Sequence, residues 1–102
     1  AMRTFGIDEK YITGNASDEE KFQKWATTLP YTLRNPLYHW THLELQRYFD
    51  ISELLSEKSA DRIYDQTNKM VNSSSFSTLS LLERMKVERI CSTDVYNFVI
   101  CY

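Results

Sequence analysis

The dipeptide Asn35-Pro36 constrains this chain more than any other pair in it. An asparagine just before a helix turns its side-chain oxygen onto the first free amides. A proline at the first helical position lacks the amide that would go unbonded there. The pair predicts a helix start, and "LYHWTHLELQRYF" continues it to about Phe49, with Tyr38, His42, Leu45 and Phe49 spaced four, three and four on one face. Ser17 followed three residues later by Glu20 reads as a capping box, with Asp18, Glu19 and Glu20 suited to the positive end of a helix dipole. Phe22, Trp25, Ala26 and Leu29 give that helix an apolar face, and Pro30 is expected to end or kink it. A further capped helix is expected to begin near Ser56, with Ala60, Ile63, Tyr64, Thr67 and Met70–Val71 on one face, and a last one after Ser77, "TLSLLERM".

The connections are short. Gly6 predicts a turn, Asp8 a cap, and Gly14 the close of a short helical turn; Ile51 to Leu55 reads as another turn and "NSSSFS" as a loop. Only two Gly and two Pro occur in 102 residues, which disfavours both a turn-rich all-β fold and a disordered chain. Towards the end the period changes. "VERICSTD" sets Val87, Arg89 and Cys91 against Glu88, Ile90 and Ser92, as a short strand would, and "VYNFVICY" is apolar enough for a strand or a terminal helix. The expected fold is therefore mainly α: a small bundle of about four to five helices with a short C-terminal strand or extended segment. Residues 1–86 form the helical part, and residues 87–102 a strand-like return segment and apolar tail.

A formal net charge of −2 with no basic face gives no reason to expect a nucleic-acid partner. No apolar run approaches the roughly 20 residues of a membrane span, and "AMRTFGIDEK" has no signal-like run, so a cytoplasmic protein is expected. Cys91 and Cys101 lack CxxC spacing; Cys91 reads as a buried small hydrophobe and Cys101 as a free thiol.

His39 and His42 are the visible metal candidates, since residues three apart on a helix can approach one ion. They lack the HExxH pattern, and the apolar stripe claims His42 for a core or capping role, which leaves His39 on the surface. Arg34, Arg47, Glu44 and Asp50 read as surface ion pairs. Trp25, Trp40, Tyr31, Tyr38 and Tyr48 read as core rather than as the lining of a sugar pocket. Asp94, at the end of the presumed strand, stands where barrel enzymes place catalytic carboxylates, without a partner set. No catalytic, cofactor-binding or metal-binding residue is assigned.

In "AMRTFGIDEKYITG" and "PYTLRNPLYHWTHLELQRYFDI" the chain resembles uronate isomerase (glucuronate isomerase), a family of the amidohydrolase superfamily. The likeness runs from Ala1 to about Asp94. It includes Ala1-Met2-Arg3, Gly6, Tyr11-Ile12-Thr13-Gly14, Trp25, Pro30, the run Arg34 to Leu45, Leu54-Leu55, Ala60 and "VERICSTD". The resemblance implies a zinc-associated (β/α)₈-barrel enzyme that interconverts D-glucuronate with D-fructuronate and D-galacturonate with D-tagaturonate. It also implies that this chain is a helical subdomain inserted after an early barrel strand.

The family's metal-binding His-x-His, its His-Tyr pair before the "AMR" segment, its metal-binding Asp and its substrate-binding arginines have no counterpart here. After Thr93-Asp94 the family continues with Asp-Pro, where this chain has Val95-Tyr96. The expectation is a fragment that is inactive alone and holds no cofactor of its own. Its partner would be the remainder of the barrel, which would bring zinc and the uronate substrate. The alternatives are a free-standing helical interaction module that self-associates through exposed aromatic surface, and a small metal site at His39 and His42.

Overall fold

The computed structural model describes residues 1–91 together with the strand residues Ile100 and Cys101. Helices α1 (Asp18–Thr28), α2 (Pro36–Phe49), α3 (Ala60–Val71) and α4 (Thr78–Arg84) carry most of the chain. Two short strands follow, β1 (Arg89–Ile90) and β2 (Ile100–Cys101). The mainly α content with short C-terminal strands is the expected fold class. The chain forms two compact units, residues 1–69 and 70–102.

The helix starts lie where side chains can satisfy the free amides of a first turn. Asn35 Oδ1 accepts from the Leu37 amide at 3.0 Å. At α1 the capping box is complete: the Glu20 amide donates to Ser17 Oγ at 3.2 Å, and the Ser17 amide donates to the Glu20 carboxylate at 2.9 Å. Ser77 Oγ accepts from the Ser80 amide at the start of α4. Pro30 ends α1 without breaking the chain's helical course, because Leu29–Thr32 continues as a tighter 3₁₀ turn whose opening tolerates a missing amide.

One expected start moves. The helix expected near Ser56 begins at Ala60. Ser56 instead opens a turn closed by the Ser59 amide on its carbonyl at 3.2 Å. The buried Ser59 hydroxyl donates back to the Leu54 carbonyl at 2.8 Å and accepts from the Ser56 amide at 2.9 Å. These local bonds offer the backbone an alternative to helix until residue 59.

The core of the first unit is Ala26, Leu29, Leu45, Ile51, Leu55, Ala60 and Ile63, with Phe22, Trp25, Tyr38 and Phe49 packed against it. Each apolar face read from the sequence contributes. Ile51 and Leu55, expected in a short turn, are buried in an irregular run between α2 and α3. Phe22 of α1 meets Tyr64 of α3 with ring centroids 5.4 Å apart, and Gln23 hydrogen-bonds Asp61 across the same pair. Buried Thr28 and Thr32 donate to the carbonyls of Lys24 and Leu29, so neither hydroxyl is left without a partner.

In the second unit, α4 ends at a left-handed Lys86 (φ 55°). The Lys86 amide donates to the Glu83 carbonyl and the Val87 amide to that of Leu82, at 2.9 and 3.0 Å. This is the Schellman arrangement, which usually places glycine at the left-handed position. The chain then extends, and Arg89 pairs with Cys101 and Ile90 with Ile100, antiparallel. The expected burial of Cys91 is not found: its thiol is free and exposed. Arg89 and Ile90 are exposed too, so the alternation of the sequence has no covered face against which to sort Cys91 inward.

Candidate functional site

His39 and His42 leave one helix into different surroundings. His39 is exposed. His42 is half-buried, its ring centroid 4.5 Å from that of Tyr38 one turn earlier. The Leu55 amide donates to His42 Nε2 at 3.0 Å, so that nitrogen carries no proton. Nδ1 lies 2.7 Å from the Tyr38 carbonyl oxygen, an acceptor, and therefore donates to it. His42 is thus a neutral clasp that ties α2 to the run leading into α3, the core and capping role its place on the stripe implied. Both its ring nitrogens are engaged, and no three His, Cys, Asp or Glu side chains converge among the described residues. The zinc implied by the resemblance does not fit these residues.

The aromatic candidates disperse. Trp25 borders an open hollow with Ala1, Met2, Arg3, Ile12 and Leu37. Tyr31 stacks at a tilt on Phe5, with centroids 5.7 Å apart, beside a hollow that Arg34 and Asn35 also line. Trp40 and Tyr48 flank a third, of about 210 Å³, with Leu43, Glu44 and Arg47. Tyr38 packs on the core. Asp50, rather than joining an ion-pair set, takes the left-handed conformation (φ 56°) that closes α2. Arg3 pairs with Glu9 and Arg62 with Glu53 among the described residues. Asp94 lies outside the described residues, as does the Cys101 side chain.

The most developed polar cluster is one the sequence reading did not single out. The Arg3 guanidinium donates from Nε and Nη2 to the two Glu9 carboxylate oxygens at 2.9 and 2.6 Å, and the Thr13 hydroxyl donates to Oε1 at 2.6 Å. The hydrogen bond from Arg3, then that from Thr13, pulls the Glu9 carboxyl down from 4.5 to about 2. The same pairing raises Arg3. Gly6 makes the cluster reachable by adopting φ 73°, which turns the chain back between Arg3 and Glu9. Gly14 closes it, since a Cβ there would sit 2.5 Å from the Lys10 Cα. A six-residue separation across a glycine turn matches neither helix nor strand spacing, which is why periodicity did not reveal the pair. The Lys10 and Lys24 ammonium groups lie 4.7 and 5.2 Å from the Tyr11 ring centroid. These groups can hold a backbone or recognise a neighbour, and His42, the best-placed general base by residue type, is already committed to structure.

The sequence model of the glucuronate isomerase family matches residues 1–96. The uronate isomerase of Flavobacterium johnsoniae is 60% identical over 94 residues, which are 92% of this chain and 20% of that protein. The uronate isomerase of Bacillus subtilis is 53% identical over 93 residues, again 20% of its length. The fold is similar to a crystal structure of uronate isomerase from Thermotoga maritima, with a TM-score of 0.84 and 41% identity, over 91% of this chain and 20% of that one. The chain spans about one fifth of the length of the relatives it matches.

Proposed function

The chain belongs to the glucuronate isomerase family, and from that premise we propose that it is the helical portion of a cytoplasmic uronate isomerase whose catalytic groups lie in the other four fifths of the family's length. The reaction is an aldose–ketose isomerisation, D-glucuronate to D-fructuronate and D-galacturonate to D-tagaturonate. A proton leaves C2 and one is added at C1, while the carbonyl passes from C1 to C2. Such a transfer needs an acid/base group within hydrogen-bond reach of both carbons and their oxygens. The observation that carries the reading is the combination of 60% identity with coverage of only 20% of the relative. The zinc and the acid/base groups belong to that remainder, and this chain contributes a folded helical scaffold. Among the described residues no helix is long and apolar enough to cross a membrane.

The 102-residue chain is expected to convert no D-glucuronate above the buffer rate, by ¹H NMR of the sugar, with or without zinc. Residues 1–94, placed in the Flavobacterium johnsoniae enzyme in exchange for its matching segment, are expected to support conversion. Turnover by the 102-residue chain alone, or a folded but inactive exchange protein, would refute the reading.

A further inference from the structure

Within residues 1–69 several large apolar side chains are left in water. Tyr31 is 74% exposed, Trp40 57%, Phe5 47% and Leu37 36%. They are not scattered. Phe5 and Tyr31 are in ring contact, and both border a hollow that Ala1 also lines. Ala1 lines the next hollow too, which Leu37 and Trp25 share. Leu37 and Trp40 are three apart on α2 and so neighbours on its surface. The result is one apolar track running from the N-terminal turn onto the outer face of α2, with Arg34 and Glu44 beside it. Exposed apolar surface of this continuity marks a place where something packs.

We infer that this track, Phe5–Tyr31–Leu37–Trp40, is the seat of the rest of an isomerase chain, the barrel-bearing part that these residues do not span. This rests on the functional reading above. The length outside the chain identifies the occupant. A fold that matches with TM-score 0.84 makes up only 20% of the Thermotoga maritima polypeptide, so four parts in five of that molecule are covalently attached to the matching segment. Leu33 and Leu54 are exposed too, at 67% and 61%, but what marks this track is that its exposed side chains adjoin one another. Tethering also makes association intramolecular, so a modest apolar face suffices where a free partner would need a larger one.

Hydroxyl-radical footprinting, read residue by residue by mass spectrometry, tests this on the unmodified aromatic and leucine side chains. In the 102-residue chain Phe5, Tyr31, Leu37 and Trp40 should oxidise at the rate of open side chains. In the Flavobacterium exchange protein they should slow about tenfold, to the rate of buried Leu55, because they are then reached only by local opening. Unchanged oxidation there overturns the seat, and if the same protein converts D-glucuronate, the functional reading stands without it. A folded exchange protein with a protected track but no turnover refutes the functional reading instead. Protection already present in the 102-residue chain and lost on dilution would assign the track to a second copy and overturn the proposal. Footprinting the natural Flavobacterium enzyme at the four aligned positions decides the matter even if the exchange protein does not fold.

Discussion

His42 shows how much one side chain can fix. It accepts a hydrogen bond from the amide of Leu55, a residue buried in the core, and donates its own Nδ1–H to the carbonyl one turn back. Removing the ring by His42→Ala strands that amide away from water, which costs about 1–3 kcal/mol. We expect the urea midpoint to fall accordingly. His42→Gln, whose amide oxygen can reach towards the same point, should recover part of the loss; equal midpoints for His42→Ala and the parent would remove the clasp from the account. Glu9 makes a different prediction. Its carboxyl is depressed from 4.5 to about 2, so its bonds to Arg3 and Thr13 are fully present above 4.5 and are lost as the pH falls towards about 2. The pair is exposed and screened, so the effect is local rather than global. Carbon-detected NMR should find the Glu9 carboxyl titrating near 2, and the Thr13 signal should follow it except in Glu9→Gln. A Glu9 midpoint near 4.5 would show that the cluster does not persist in solution.

At the scale of elements, boundaries follow local hydrogen-bonding chemistry more than propensity. The Asn35, Ser17 and Ser77 caps lie where their sequence contexts implied, because an N-cap needs only a short polar side chain and free amides within reach. The start of α3 lies at Ala60 rather than near Ser56. Ser56 and Ser59 are both cap-forming types, and the bonds of the Ser59 hydroxyl to the Leu54 carbonyl and from the Ser56 amide hold residues 56–59 in a turn. The end of α4 bears a cost that nothing in the spacing of "TLSLLERM" reveals, a lysine in the left-handed region. Lys86→Gly should stabilise the protein by up to about 1 kcal/mol, since relief of a left-handed penalty of about 1–2 kcal/mol outweighs glycine's extra chain entropy of about 0.5–1 kcal/mol and both Schellman bonds are kept. Lys86→Ala should not stabilise it. Thermal and urea melts of the two variants check the sign, and a loss of stability in Lys86→Gly would mean that the lysine side chain matters more than its backbone.

At the scale of the whole molecule, residue order alone determined the class of fold and the family. The stripes Phe22–Trp25–Ala26–Leu29 and Tyr38–His42–Leu45–Phe49, together with Ala60 and Ile63, recur at helical spacing, and that period dictates which faces must leave water. The run Arg34 to Leu45 carries the likeness to the isomerases in its residue order alone. Tertiary structure alone decided the rest. Ile51 and Leu55 are four apart yet lie in no helix, and they are core because His42 and Ser59 hold their irregular run against the helices. Arg3 meets Glu9 because Gly6 reverses the chain. Cys91, apolar by its alternation, stands in water because burial depends on what covers a strand and not on the strand's own pattern. Periodic contacts are encoded locally and can be read in order. Contacts made across loops depend on where distant segments come to rest, and no spacing in the sequence contains that.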